Sequence, residues 1–183
     1  MNDTALKDVK VIDLTQHIKT DKGTIAAVND YAVAGGLERA LACNIRIASE
    51  NAQFGCFEIR RALPNPPDPL IRLVGFGPAL HMLLSGELID AHEGLRIGLV
   101  TKVVSAQRLI PTVEDLAARM GEYPTEVLAA TNKAAFVGRD MTTEQSHLYA
   151  RALSVPLRDS DTSREDVTAF AESRKANYGE SAS

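Results

Sequence analysis

Two carboxylic acids and a pair of glycines are the residues of this chain whose types and spacing could do chemistry. Glu38 follows Ala34, Gly35 and Gly36 at the start of a stretch, residues 37–43, whose apolar residues and good helix formers predict a short buried helix. Glycines at a helix start let a ligand approach backbone N–H groups that the helix itself leaves unpaired. Those groups lie at the positive end of the helix dipole and suit a developing negative charge. Glu38 stands on the first turn of this helix, and a second acid, Glu58, follows two stretches that read as short strands, so two carboxylates are expected to flank one anion-holding pocket. Read alone, Gly-Gly before a helix also fits turn or packing chemistry, and a Glu on a first turn also fits plain dipole complementation.

The elements that must position these groups are short. Ile25 to Val28 is an apolar run bounded by Gly23 and Asn29, which predicts a buried strand followed by a turn. Residues 45–48 and 53–55 predict two more strands leading to Glu58. Past Leu73 the pattern becomes helical, with a helix over 77–84 ended by Gly86 and another over 91–97 capped by Asp90 and closed by Gly98. A strand is expected over 99–104, then helices over 109–120, 124–136, 143–153 and 164–177, the last opened by a capping box at Thr162 and Glu165. Leu6, Val9, Ile12 and Ile18 recur at roughly helical spacing and predict a helix over 1–22. Asp68 with its flanking prolines marks the most irregular loop, and residues 179–183 form a short polar tail. No linker composition interrupts the chain, so residues 1–104 and 105–183 are expected as a core and a helical region of one domain.

The segment IAAVNDYAVAGGLERALACNIRIA, residues 25–48, followed by AQFGCFE, residues 52–58, closely resembles the enoyl-CoA hydratase/isomerase family, the crotonase superfamily. Its members carry I-A-A-V-N-G-x-A-x-G-G-G-x-E-L-A-L-A-C-D-I-R-I-A and then A-x-F-G-x-P-E. The similarity continues through LVGFGPAL, LLSGELIDAHEGLRIGLVTKVV and the C-terminal TAFAESRKANY, and so covers roughly everything from residue 23 onward.

The resemblance implies an α/β fold, a crotonase-type spiral of ββα units with a helical C-terminal trimerisation region. It implies acyl-CoA thioester substrates, with coenzyme A as part of the substrate and no further cofactor, an enolate-like intermediate held by two backbone N–H groups, and a place in fatty-acid and lipid metabolism. Gly35 matches the glycine supplying one of those donors, with Ala34 and Gly36 beside it. In hydratase members the acid at the position of Glu38 helps activate water and the acid at the position of Glu58 delivers a proton to the α-carbon. A positioned carboxylate contributes about two to four powers of ten in rate, so both acids together point to hydration, whereas isomerases of the family work with one. A homotrimer or dimer of trimers is implied as well, in which a neighbour's terminal helix reaches the CoA site. Phe170 matches an aromatic packing there, while helical spacing fits Phe170 and Phe136 equally well as core residues.

The chain also departs from the family pattern. Family members have leading spiral turns that carry the second oxyanion donor in an A-G-A-D-like loop, and nothing in residues 1–22 matches them, so the spiral is expected to be incomplete at its N-terminus. Asp30 replaces the glycine of N-G-x-A, Ala34 replaces the first glycine of the triplet, and Ser173 replaces a lysine near the CoA phosphates. Where the family shows G-L-x-P-G-x-G-G, this chain has Ala62-Leu63-Pro64-Asn65-Pro66-Pro67-Asp68-Pro69. Prolines there have no N–H to offer the water or acyl group. A non-catalytic remnant or subunit that keeps its oligomer contacts is therefore the rival to an enzyme.

The 183 residues are enough to bury a sizeable core. A net charge of −4 gives no electrostatic case for nucleic acid or an anionic membrane. No N-terminal apolar signal region is seen and no stretch is long enough to span a bilayer, which makes a cytoplasmic protein the expectation. Cys43 and Cys56 are then expected as free thiols, Cys43 in the core. His17, His81, His92 and His147 lack metal-ligand spacing, and no metal is expected.

Overall fold

The computed structural model describes Thr20 and residues 22–178. Its first elements repeat a ββα order. Strand β1 (Ile25–Val28) and strand β2 (Tyr31–Val33) lead into helix α1 (Gly35–Ala42). Strand β3 (Ile45–Ser49) and strand β4 (Gln53–Gly55) then lead into a 3-10 turn, Phe57–Arg61, and helices α2 (Asp68–Val74) and α3 (Phe76–Ser85). Strand β5 (Ile89–Asp90), helix α4 (Ala91–Arg96) and strand β6 (Lys102–Val104) follow. The first strands of the two repeats, β1 and β3, join one sheet with β6, and the second strands, β2 and β4, join another with β5, which runs antiparallel to β4. Because β1 pairs parallel with β3 and β2 with β4, each repeat stacks on the one before in register.

The described residues fall into two compact units, one over Ile25–Val113 and the other over Thr20, 22–24 and 114–178. In the first, Ala48, Ala52, Phe54, Ala79, Ala91 and Leu99 lose all solvent contact. Burying a side chain the size of Phe or Leu in this way contributes about 1.5–3 kcal/mol each. Arg46 is buried among them, donating from Nε to the Leu99 carbonyl (2.7 Å) and from Nη1 to the carbonyls of Cys43 (2.6 Å) and Ala40 (3.3 Å). One guanidinium thus closes the C-terminal end of α1 and ties it to the segment that enters β6. Burial pulls the pKa of Arg46 down, while the Cys43 thiol acts in the opposite direction.

The second unit is helical. Helices α5 (Ala106–Gly121), α6 (Thr125–Gly138), α7 (Thr143–Arg158) and α8 (Asp161–Ala171) complete the chain. Thr142 and Gln145 form a capping box at the start of α7.

Three expectations need correction. Residues 31–33 form a strand rather than a turn, because β4 offers them a parallel partner. Asp68 opens α2 rather than marking an irregular loop, with Pro69 in its first turn, where a missing N–H costs nothing, and Arg72 pairing back to it. The capping box at Thr162 and Glu165 does not form. Ser160 caps α8 by accepting from Ser163 N–H, Thr162 donates to Glu126, and α8 ends at Ala171 rather than continuing to residue 177. Residues 1–19, where most of the first helix was expected, lie outside the described part, and Thr20 and Lys22 are not helical.

Candidate active site

The parallel pairing of β2 with β4 sets Val33 beside Gly55, so the chain leaves both strands at the same end. From β2 it passes through Ala34 into α1, and from β4 through Cys56 into the 3-10 turn. Ala34 N–H donates to the Gly55 carbonyl at 3.1 Å and locks the two exits together. Glu38, on the first turn of α1, and Glu58, on the 3-10 turn, therefore start from adjacent strand ends. Parallel strands bind ligands beyond their carboxyl ends for the same reason: the helices that follow converge there. Gly55 must stay small, since a Cβ on it would come within 3.0 Å of the Phe57 ring and 3.1 Å of Leu88 Cδ2.

Ala34 carries the sharpest bend. Its φ of 49° and ψ of −127° belong to glycine's range, so the alanine keeps the backbone path of the glycine it replaces and bears strain of about 1–3 kcal/mol. The bend starts α1 at Gly35, and the Glu38 N–H donates to the Ala34 carbonyl at 3.1 Å. None of the described residues accepts from the N–H of Gly35 or Gly36, and the space beside Gly36 is open. A helix start of this kind has the geometry that an anion-holding site requires.

Glu58 is half-buried on a turn held from several sides. Its own carbonyl accepts from Leu63 N–H at 3.1 Å, and Ala62 N–H donates to Ile59. The Arg60 guanidinium lies 3.9 Å above the Phe57 ring while its Nε donates to the Gly86 carbonyl at 2.9 Å. The carboxylate itself accepts at Oε2 from the Asn65 side-chain amide, 2.8 Å away. Sequence reasoning passed over Asn65; the one available signal was an amide side chain among prolines that have no N–H.

Cys56, where the chain leaves β4 for the 3-10 turn, is 1% exposed. Burial pushes its thiol up to about 11, and the carboxylates of Glu58 and Glu38 add to the rise. Burial, with both carboxylates adding to it, holds the thiol neutral near pH 7.

Other predicted features lie elsewhere. A groove of about 470 Å³ runs along β1 and α1 past Asn29, Tyr31, Arg39 and Cys43, and touches the site only at Gly36. Phe170 belongs to the second unit and is 86% exposed on α8, so it is no core residue of this chain. Phe136 is 43% exposed, with the Arg139 guanidinium 5.3 Å from its ring centre. Among the described residues no cluster of three or more His, Cys, Asp or Glu comes together as a metal site would require, and no helix is long and apolar enough to cross a membrane.

Two acids at neighbouring strand ends, beside a helix start whose first N–H groups have no acceptor among the described residues, form a site able to move protons while holding negative charge on an oxygen. Comparison with known proteins gives the family. The family model for enoyl-CoA hydratase/isomerase matches residues 2–181. The chain is 42% identical to (E)-benzylidenesuccinyl-CoA hydratase of Thauera aromatica, over 86% of this chain and 63% of that enzyme. It is 36% identical to crotonyl-CoA hydratase of Syntrophomonas wolfei, over 86% of this chain and 62% of that enzyme. Among solved structures, an enoyl-CoA hydratase from Bacillus anthracis superposes with a TM-score of 0.85 at 27% identity, covering 87% of this chain and 63% of that one. DspI of Pseudomonas aeruginosa superposes with a TM-score of 0.82 at 35% identity, covering 87% and 62%. The chain thus spans less than two thirds of the length of these curated relatives. It belongs to the enoyl-CoA hydratase/isomerase family and has the crotonase fold.

Proposed function

We propose that this chain carries acyl-CoA chemistry of the hydratase type. The enoyl thioester binds with its carbonyl oxygen on the Gly35 N–H. Glu38 takes a proton from a water whose oxygen bonds to the β-carbon, the electrons of the double bond move to the thioester oxygen as an enolate, and Glu58 gives a proton to the α-carbon. Double-bond migration would need only the enolate and one acid acting in turn as base and acid. The observation that carries the reading is that α1, bearing Glu38, and the 3-10 turn, bearing Glu58, leave neighbouring parallel strand ends joined by the bond from Ala34 N–H to the Gly55 carbonyl. The relatives named as hydratases of benzylidenesuccinyl-CoA and crotonyl-CoA support water addition as the reaction. We extend the proposal to a cytosolic setting and to a homotrimer or dimer of trimers, in which Phe170 on α8 of one copy packs at a CoA site.

The test follows crotonyl-CoA hydration by loss of the conjugated thioester's ultraviolet absorbance. Glu38→Gln and Glu58→Gln should each lower the rate by at least about a hundred-fold, within the range for a positioned acid or base. Equal residual rates in the wild type and the double variant would instead make the chain a non-catalytic member.

A further inference from the structure

We infer that Asn65 is a positioning residue for Glu58, and that this chain uses its side-chain amide where a proline-rich loop has no backbone N–H to offer. The inference rests on the hydratase reading above and deepens it. Asn65 Nδ2 donates to Glu58 Oε2 at 2.8 Å, a contact from a half-buried side chain to a half-buried carboxylate. Pro64, Pro66, Pro67 and Pro69 surround it, and none of them has an N–H. The same prolines restrict the loop's backbone, so less freedom is lost in holding the amide in place.

Geometry separates this role from a purely architectural one. The 3-10 turn is held without Asn65, by the Leu63 and Ala62 N–H bonds, by Arg60 on the Gly86 carbonyl and by the Arg60–Phe57 contact. What Asn65 adds falls on the carboxylate alone. It occupies Oε2, and no described residue bonds Oε1, so the rotamer is fixed while one oxygen stays available to the α-carbon. Hydrogen bonds to a charged group are short and directional, and an amide donor keeps its character at every working pH.

The test uses the whole chain and crotonyl-CoA. Asn65→Leu keeps the branched shape and heavy-atom count and removes the donor. It should lower kcat by roughly ten- to a hundred-fold, the range for losing a hydrogen bond to a charged group, with KM within about two-fold. Asn65→Gln, which restores an amide, should recover part of that loss. In a Glu58→Gln background, Asn65→Leu should have no further effect. A rise in KM with kcat kept, or a further loss in the Glu58→Gln background, would overturn the inference. Side-chain amide NMR reads the contact without turnover: one Asn65 NH2 proton should resonate downfield and move back in Glu58→Gln. An inactive wild type that keeps this shift removes the hydratase reading and leaves the contact standing, whereas absence of the shift overturns the inference even in an active enzyme.

Discussion

The backbone N–H of Ala34 donates to the carbonyl of Gly55 across 3.1 Å, joining the last turn out of β2 to the last residue of β4. That bond fixes the two exits from which Glu38 and Glu58 depart against each other, and the bend at Ala34, φ 49°, then turns the chain into α1. A relaxed alanine would begin α1 in another direction.

If Ala34 is strained, Ala34→Gly should stabilise the chain. Glycine relieves the conformation but adds freedom to the unfolded chain, so the net gain expected is about 1 kcal/mol. Urea unfolding measures it. A loss of stability would mean that the alanine methyl makes packing contacts worth more than the strain.

Arg46 should be far less tolerant. Arg46→Met keeps the bulk but leaves the carbonyls of Leu99, Ala40 and Cys43 without their donor in a buried setting, at a cost of about 3 kcal/mol or more. Chemical denaturation of the variant gives the number, and a cost under about 1 kcal/mol would show that water replaces the guanidinium.

Cys56 reports on the site's charge. With its folded value raised to about 11 from an ordinary 9.0, the neutral thiol contributes stability that is fully present below pH 9 and is lost as pH rises towards 11. Glu58→Gln removes one of the charges that raise it, so the thiol of that variant should titrate lower, yet still above 9.0 because burial is the larger cause. Thiolate absorbance in a Cys43→Ser background reads both values, and an unchanged value would place Glu58 too far from the sulfur to matter.

Glu165 gives a linkage of the opposite sign. The Arg174 guanidinium, followed by the Asn177 N–H at 2.8 Å, holds its carboxyl down at about 2 against an ordinary 4.5. The stability it contributes is present above pH 4.5 and is lost as pH falls towards 2. Glu165→Gln should lower Tm at neutral pH, and the gap to the wild type should close over that acid window. A gap that persists at pH 2 would assign the effect to packing.

Assembly is tested by light scattering. A trimer or a multiple of it is expected at micromolar concentration, and Phe170→Ser should leave the mass unchanged if Phe170 serves the CoA site rather than the subunit contact. A monomeric wild type would remove the trimer proposal. β1 is an edge strand among the described residues, so soluble aggregation is the competing outcome.

Local chemistry made several elements legible without coordinates. Ile25–Val28 and Gln53–Gly55 are strands as expected, although in the first only Val28 is buried. Asp90 caps α4 through Glu93 N–H at 2.7 Å, and Gly86 ends α3 in the left-handed conformation its type favours. Glu38 was readable as a first-turn acid, and the motif around it as a family signature, because residue type and spacing suffice for both. Other features depend on partners distant in the chain. Tyr31–Val33 is too short to declare itself and becomes a strand only because Gln53–Gly55 lies alongside. Ser160 won the cap of α8 because Thr162 found Glu126 and Glu165 found Arg174, choices that no local pattern records. Spacing placed Phe170 on a helix but left its face undecided, and packing turned it outward. The Asn65 amide met Glu58 for a similar reason. A loop of prolines states where N–H groups are missing, but only the folded path of that loop decides which side chain arrives in their place.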